Sequence, residues 1–355
     1  MTTLHVTPYD TLFVRDGKPF SMGEEVWASG LFPPPPSVVY GAMRTHYFSH
    51  NTDELLRANT ENDPTGDFLL HYIRIVNKVT NTGLFPVPAD MVALKEKNKN
   101  YCLLQPKPAP AFSNFKYPYL LQSVNLVEDI ESGFVTGTFM KKYLTGSFLL
   151  GEVDVKTDIW KKEPKIGIMK SRESGSSEEG RLYRTEMYRF DKSGGNLAPY
   201  ALEIGISQLE TQKNGMIKLG GEGKMAAFTT AESSPFLAEN TEGVIQKGEK
   251  FKVYLLTPAI NKAGVEGAWI NDSVRLLAVA LRHPIALGGF EMRGKGTNAK
   301  PGPKPLRKAV PAGTVYYLEA LKDIPISTFH LRNLSDELPK QGMGFALVAK
   351  LQKYD

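Results

Sequence analysis

Tyr200-Ala201-Leu202-Glu203-Ile204-Gly205-Ile206-Ser207-Gln208, then Asn214-Gly215 and Met216-Ile217-Lys218-Leu219, decide how this chain is read. Asn-Gly between two apolar runs is a strong hairpin signal, because both residues tolerate the positive φ of a tight turn. The spacing predicts strands at 200–208 and 216–219 joined near Asn214-Gly215. The next residues, Gly220-Gly221-Glu222-Gly223-Lys224, carry different chemistry. Glycine lets backbone N–H groups approach a phosphate, and a lysine beside it supplies charge. A second loop of this kind starts at Leu287-Gly288-Gly289-Phe290 and runs through Arg293, Lys295, Lys300, Lys304, Arg307 and Lys308 to Pro311-Ala312-Gly313. Met292 to Lys308 holds six basic residues and no acidic one, while the whole chain has a formal charge of only +5. Such loops point to a polyanion held along its backbone, and RNA is the polyanion expected.

Working outward, Leu4–Thr7, Phe68–Val76, Phe251–Leu256, Thr314–Leu318 and Phe345–Leu351 read as strands. Proline suits a helix start, so a helix is expected after Pro33–Pro36, with Val39, Ala42, Met43, His46 and Tyr47 on one stripe. Phe139–Leu144 reads as a short helix. Ser273–Leu281 reads as another, with Val274, Leu277, Ala278 and Leu281 on its buried side. Strands and helices mix without βαβ alternation, which favours an α+β fold. With 355 residues, two domains are expected.

Composition excludes several classes. A hydrophobic content of 41% supports a sizeable core. Cys102 is the only cysteine, so no intrachain disulfide can form. The N-terminal stretch lacks the apolar core of a signal peptide, and the aliphatic run Leu276–Leu281 is far too short to cross a bilayer. These features describe a soluble cytoplasmic protein with no membrane partner.

Enzyme motifs fail on inspection. Gly289-Phe290-Glu291-Met292-Arg293-Gly294-Lys295 resembles a P-loop, but Gly296 stands where the magnesium-binding hydroxyl belongs. Pro301, Pro303 and Pro305 also forbid the helix that must follow. Gly294–Ala299 matches GxGxxA and fails for the same reason. Only His46 and His50 have helical i,i+4 spacing, and no third metal ligand accompanies them. No Gly-x-Ser-x-Gly elbow exists, and Cys102 has no basic neighbour. The expectation is no catalytic residue, no metal and no cofactor.

Gly167–Gly180 is rich in Ser, Glu and Gly and is expected to be mobile. Arg181, Tyr183, Arg184, Tyr188 and Arg189 follow it. Arginines with interleaved aromatics suit phosphate contacts and base stacking. Equally, Glu173, Glu178, Glu179 and Glu186 partly cancel the charge and fit a solvated hairpin tip.

Several stretches, taken in order, resemble one family. They are Pro8–Phe20, Phe32-Pro33-Pro34-Pro35-Pro36 with Tyr40-Gly41-Ala42-Met43-Arg44, Lys165–Ile168 with the loop ending at Leu182-Tyr183, Leu219–Gly223, Leu287–Phe290 and Val310–Val315. Together they resemble the RAMP superfamily and, within it, the third subunit of the Cmr-type (type III-B) CRISPR effector complex. Residues 50 to 130 match least.

The resemblance implies tandem ferredoxin-like (RRM-related) domains, with Gly-rich loops and inserted hairpins: residues 1–200, then a degenerate copy over 201–355 carrying the Gly-rich loops. It implies a non-catalytic subunit that caps the 5′ handle of the CRISPR RNA. The partners implied are that RNA, the large palm-domain subunit and an adjacent backbone RAMP subunit. The RNA-facing residues would be Gly220, Gly221, Gly223, Lys224, Gly288, Gly289, Arg293 and Lys295, with Arg15, Lys18, Arg44, Arg181 and Arg184 as further candidates. Two other readings stay open. RAMP relatives include metal-independent RNA endonucleases, for which His46 would be the general base. A purely structural subunit would use the same basic loops on an acidic protein surface.

Overall fold

A computed structural model describes residues 1–17, 27–95, 100–112, 114–147, 153–170, 177–191, 199–232, 242–291 and 302–351. The principal elements in chain order are β1 (Thr2–Pro8), α1 (Pro36–His50), β2 (Leu69–Asn77), β3 (Thr82–Pro86), β4 (Phe134–Thr136), α2 (Gly137–Thr145), β5 (Trp160–Lys170), β6 (Ser177–Phe190), β7 (Tyr200–Ser207), β8 (Asn214–Lys218), β9 (Met225–Ala231), β10 (Lys250–Leu255), β11 (Val274–Ala280), β12 (Val315–Ala320), β13 (Arg332–Asn333) and β14 (Phe345–Lys350). The fold is α+β, as expected, and its strands pair mostly antiparallel. Among the described residues no helix is long and apolar enough to cross a membrane.

The chain forms two compact units, and each takes three stretches of it: 1–69, 158–231 and 286–308 in the first, 70–157, 232–285 and 309–355 in the second. A single cut after residue 200 would therefore divide the stretch 158–231.

In the first unit the strands run in the order β7-β1-β9-β8. Leu4 and Val6 of β1 point into the core and lie in register with Ile204 and Leu202 of β7. Helix α1 begins where the prolines predict, with Pro36 in its first turn, and buries Val39, Ala42, Met43 and His46. Phe48, not Tyr47, completes the buried stripe. Strands β5 and β6 form a long antiparallel ribbon from Trp160↔Phe190 outward. Much of the segment expected to be mobile is thus ladder, because paired backbone satisfies its own hydrogen bonds whatever the side chains. Residues 171–176 lie outside the described residues. At the base of the ribbon Phe32 packs against Trp160, Tyr188 and Phe190 at ring distances of 5.0, 5.6 and 5.3 Å.

The predicted hairpin is displaced. Asn214-Gly215 opens β8, which pairs with β9 and not with β7. Gly215 serves close packing: a Cβ there would meet the Phe228 ring at 2.7 Å and His46 at 3.0 Å. The turn comes later, at Leu219–Lys224, where Gly220, Glu222 and Gly223 have φ of 81°, 55° and 66°.

In the second unit a five-stranded sheet runs β11-β12-β10-β14-β13, and a further three strands run β4-β3-β2. Each face of the five-stranded sheet carries a core. Tyr254, Tyr317 and Leu347 pack with Phe139, Met140 and Tyr143 of α2. Val253, Tyr316, Leu318 and Ala346 pack on the other face with Phe251 and Phe329. Thr136 caps α2 by accepting from the Phe139 N–H at 3.4 Å.

The helix expected at Ser273–Leu281 is strand β11. A bulge between Leu276 and Ala278 switches its faces. Val274 and Leu276 enter one core, and Leu277, Ala278 and Ala280 enter the other. The inserted residue breaks the period-2 alternation and leaves a spacing that mimics a helix.

One buried charge network stabilises this unit. The Asp90 carboxylate accepts from the Tyr143 hydroxyl at 2.8 and 2.7 Å, the Tyr317 hydroxyl at 2.8 Å and Lys252 Nζ at 3.3 Å. Lys252 also lies 4.0 Å from the Tyr143 ring centre.

Candidate nucleic-acid interface

The first unit holds a cleft of about 610 Å³. Its walls come from four separate stretches of sequence: Phe13–Gly17, the first turns of α1, Lys218 with Gly220-Gly221, and Leu287-Gly288-Gly289 with Lys304. Both glycine-rich loops and the first motif thus meet at one place.

The segment Leu12–Gly17 runs through this region as a strap held on both sides. Leu12 exchanges main-chain hydrogen bonds with Tyr188 at 2.6 and 2.9 Å. The Asp16 N–H donates to Ser29 O at 3.1 Å, and the Gly17 N–H to Ala286 O at 3.2 Å. A Cβ on Gly288 would come within 3.2 Å of Gly17 Cα, so glycine permits this close approach.

The turn 219–224 docks on the same strap. Gly221 N–H donates to Phe13 O at 2.7 Å. A Cβ on Gly220 would sit 2.4 Å from that oxygen. These glycines are therefore spent on packing, and the Gly221 N–H is committed within the protein. Gly289 O accepts from the Lys304 N–H at 2.8 Å, which holds Lys304 at the cleft edge.

Charge in the cleft comes from Arg15, Lys218 and Lys304 against Asp16. All three cations are exposed. The first turn of α1 contains no acidic residue and receives no side-chain cap. An acid-free helix start beside three cations and an apolar wall of Phe13, Leu31 and Leu287 suits phosphate and base together.

Of the residues singled out from sequence, Arg15, Gly220, Gly221, Gly288 and Gly289 line the cleft. Gly223 and Lys224 lie on the same turn but not on its wall. Lys224 Nζ is 3.1 Å from Asp10 Oδ2, and Lys165 Nζ is 3.9 Å from the same oxygen. The hydrogen bond from Lys224 holds the Asp10 carboxyl below the usual carboxylate range. Arg184 is exposed on β6, opposite Ile166, and Arg181 lies in the same strand. Arg44 is occupied elsewhere: it donates to Thr65 at 2.7 Å, Asn59 at 3.1 Å and Asp63 at 2.5 Å. It tethers α1 to the following loop. Lys18, Arg293 and Lys295 lie outside the described residues. Sequence reasoning missed Lys218, whose only signal is its place next to buried Ile217 in a strand.

His46 is not on the cleft wall, although Ala42 and Thr45 of the same helix are. Its Nδ1 lies 3.1 Å from Met216 O, and its ring packs edge-on against Phe228 at 5.0 Å. Burial, with help from His50, pushes its pKa down. Among the described residues no three His, Cys, Asp or Glu side chains converge as metal ligands.

A family model described as CRISPR-associated protein (Cas_Cmr3) matches residues 4–351. The chain belongs to this family. The resemblance drawn from the sequence motifs is thereby borne out. No curated protein sequence matches this Cas_Cmr3 chain. Among solved structures it is similar to a chain of the type III-B Cmr-beta assembly bound to cognate target RNA and AMPPnP, state 1. The two are 13% identical with a TM-score of 0.49, over 89% of this chain and 86% of that one. A second likeness is to a chain of Cmr-beta bound to cognate target RNA, at 14% identity, the same TM-score and the same coverage.

Proposed function

We propose that this Cas_Cmr3 chain is a non-catalytic RNA-binding subunit of a type III-B CRISPR effector complex. It holds the 5′ handle of the CRISPR RNA in the cleft of the first unit and docks on the large palm-domain subunit and an adjacent backbone RAMP subunit. The observation that carries this reading is the convergence of the two glycine-rich loops, the Phe13–Gly17 strap and three cations on one cleft. Lysine and arginine contacts position a strand without reading its sequence. The glycines contribute indirectly, by letting the turns and the strap pack closely enough to bring Arg15, Lys218 and Lys304 together. We read the two units as degenerate ferredoxin-like domains. In the first, β1 lies between β7 and β9 with the β8–β9 hairpin at one edge, although β7 precedes that hairpin in the chain.

The cutting alternative has less support. A general base must reach the 2′-hydroxyl, and His46 is buried against Phe228 and Met216 instead. The test is the double variant Lys218→Ala, Lys304→Ala. Each phosphate contact to a single strand adds about 0.7 to the slope of log affinity against log salt. The double variant should retain RNA more weakly, with that slope flattened by about 1.4. An unchanged slope would remove the cleft from the RNA path.

A further inference from the structure

We infer that Tyr9 and Asp10 form a base-reading platform beside the cleft, with Tyr9 stacking under a nucleobase and Asp10 accepting from its exocyclic amino group. This rests on the RNA reading of the cleft and extends it from holding a strand to recognising it.

Tyr9 follows directly on β1, yet its residue surface is 61% exposed. It is not loose there: its N–H donates to Met225 O at 3.2 Å. An aromatic ring on a fixed backbone, open to solvent and adjoining a residue held by lysines, suits the stacking of unpaired bases.

Asp10 adds selectivity. Its side chain is 63% exposed, and the mostly buried Lys224 and the more exposed Lys165 both approach it. The Thr11 hydroxyl reaches the same oxygen, Oδ2, at 3.4 Å. A carboxylate has about four acceptor sites, so these contacts do not exhaust it. Held ionised by Lys224, it accepts and never donates. Guanine, adenine and cytosine present exocyclic amino donors to it, whereas uracil has none and flanks its single N3–H with two carbonyl oxygens that the carboxylate repels. Lys224 and Lys165 stand against Asp10, and Glu163 near Lys224 is paired with Arg189 at 3.2 Å, so the group keeps a net positive charge that tolerates the phosphates of the same strand.

Position links the platform to the cleft. Tyr9 and Asp10 lead into the Phe13–Gly17 strap, and Lys224 ends the turn whose Gly220 and Gly221 form the cleft wall. A strand leaving the cleft past Lys224 would come to the Asp10 carboxylate that Lys224 holds, with Tyr9 beside it in the chain.

The test uses the full chain and single-stranded RNA carrying the handle. Each amino-bearing nucleotide is replaced in turn by its amino-free analogue: inosine for guanosine, purine riboside for adenosine, uridine for cytidine. In the unaltered protein one replacement should weaken binding at least fivefold. Asp10→Ala should abolish that discrimination. Tyr9→Ala should weaken every RNA about fivefold or more, and Tyr9→Phe should not. Discrimination that survives Asp10→Ala, or full RNA affinity in Tyr9→Ala, overturns the inference. Loss of a co-purifying protein subunit from Tyr9→Ala, with RNA retained, would reassign the patch to a protein contact. If Lys218→Ala, Lys304→Ala also keeps full affinity, the cleft reading itself has failed. If that variant loses RNA while the Tyr9 and Asp10 variants behave as the unaltered chain, only the platform has failed.

Discussion

The Gly221 N–H donates to the Phe13 carbonyl at 2.7 Å, and this one bond joins the first glycine-rich turn to the strap that begins the cleft. Neither residue carries charge, and they are 208 positions apart in the sequence. Their bond explains why the glycines matter without requiring them to touch RNA.

Gly220→Val should therefore fail on folding first. The residue has φ of 81°, and any Cβ would press on Phe13 O at 2.4 Å. A loss of about 2–4 kcal/mol is expected in chemical denaturation, from a disfavoured backbone conformation plus the clash. Gly223→Asn is the control. Its φ is 66°, but nothing lies within 4 Å of an added Cβ, so the change should cost well under about 1 kcal/mol.

Arg44→Ala should destabilise without touching RNA binding. The guanidinium bridges Asp63, Thr65 and Asn59 and lies about 6 Å from the Tyr40 and Phe48 rings. Removing it takes the counter-charge from Asp63, which keeps its hydrogen bonds from Asn59 N and from Thr65, so the cost should be about 1–2 kcal/mol. Thermal unfolding should register the loss while the salt dependence of RNA retention stays unchanged. A flattened salt slope would instead put Arg44 in contact with phosphate.

Asp90→Ala should be among the most damaging changes in the second unit. It strands Lys252, which is 2% exposed, without its counter-charge and removes the carboxylate to which the Tyr143 and Tyr317 hydroxyls donate. Breaking a buried pair from one side costs about 3–5 kcal/mol, readable as a shifted urea midpoint. Replacing both partners by apolar residues should cost less than removing Asp90 alone.

Stability should also fall in mild acid through His46. Its folded pKa lies below the ordinary 6.5, with burial the main cause. A depressed histidine contributes stability above 6.5 that is lost as pH falls through the folded value. A urea series from pH 7.5 down to 5 should show declining midpoints, and His46→Gln should flatten the decline. Equal slopes in both proteins would assign the acid sensitivity to other groups.

Much of this fold was legible where local chemistry and tertiary context agree. The proline run starts α1 because its fixed φ and missing N–H suit the first turn. Phe68–Val76 and Phe345–Leu351 are strands because their apolar runs enter cores. The failures share one cause. Gly215 serves contact with Phe228 and His46, and Leu277 is an extra residue in a bulge, so each local pattern reflects a neighbour distant in sequence. The site was half legible for the same reason. Glycine and charge marked the two loops, but Lys218 and the Asp10–Lys224 pair become meaningful only once β8, β9 and the strap are brought together.

The most direct measurement is photocrosslinking of handle-labelled CRISPR RNA in the purified assembly, with crosslinked peptides mapped on this chain. The account predicts crosslinks within 9–17, 218–224 and 287–306, on an RNA left uncut. Crosslinks confined to the second unit, or none on this chain in an assembly that still forms, would contradict it.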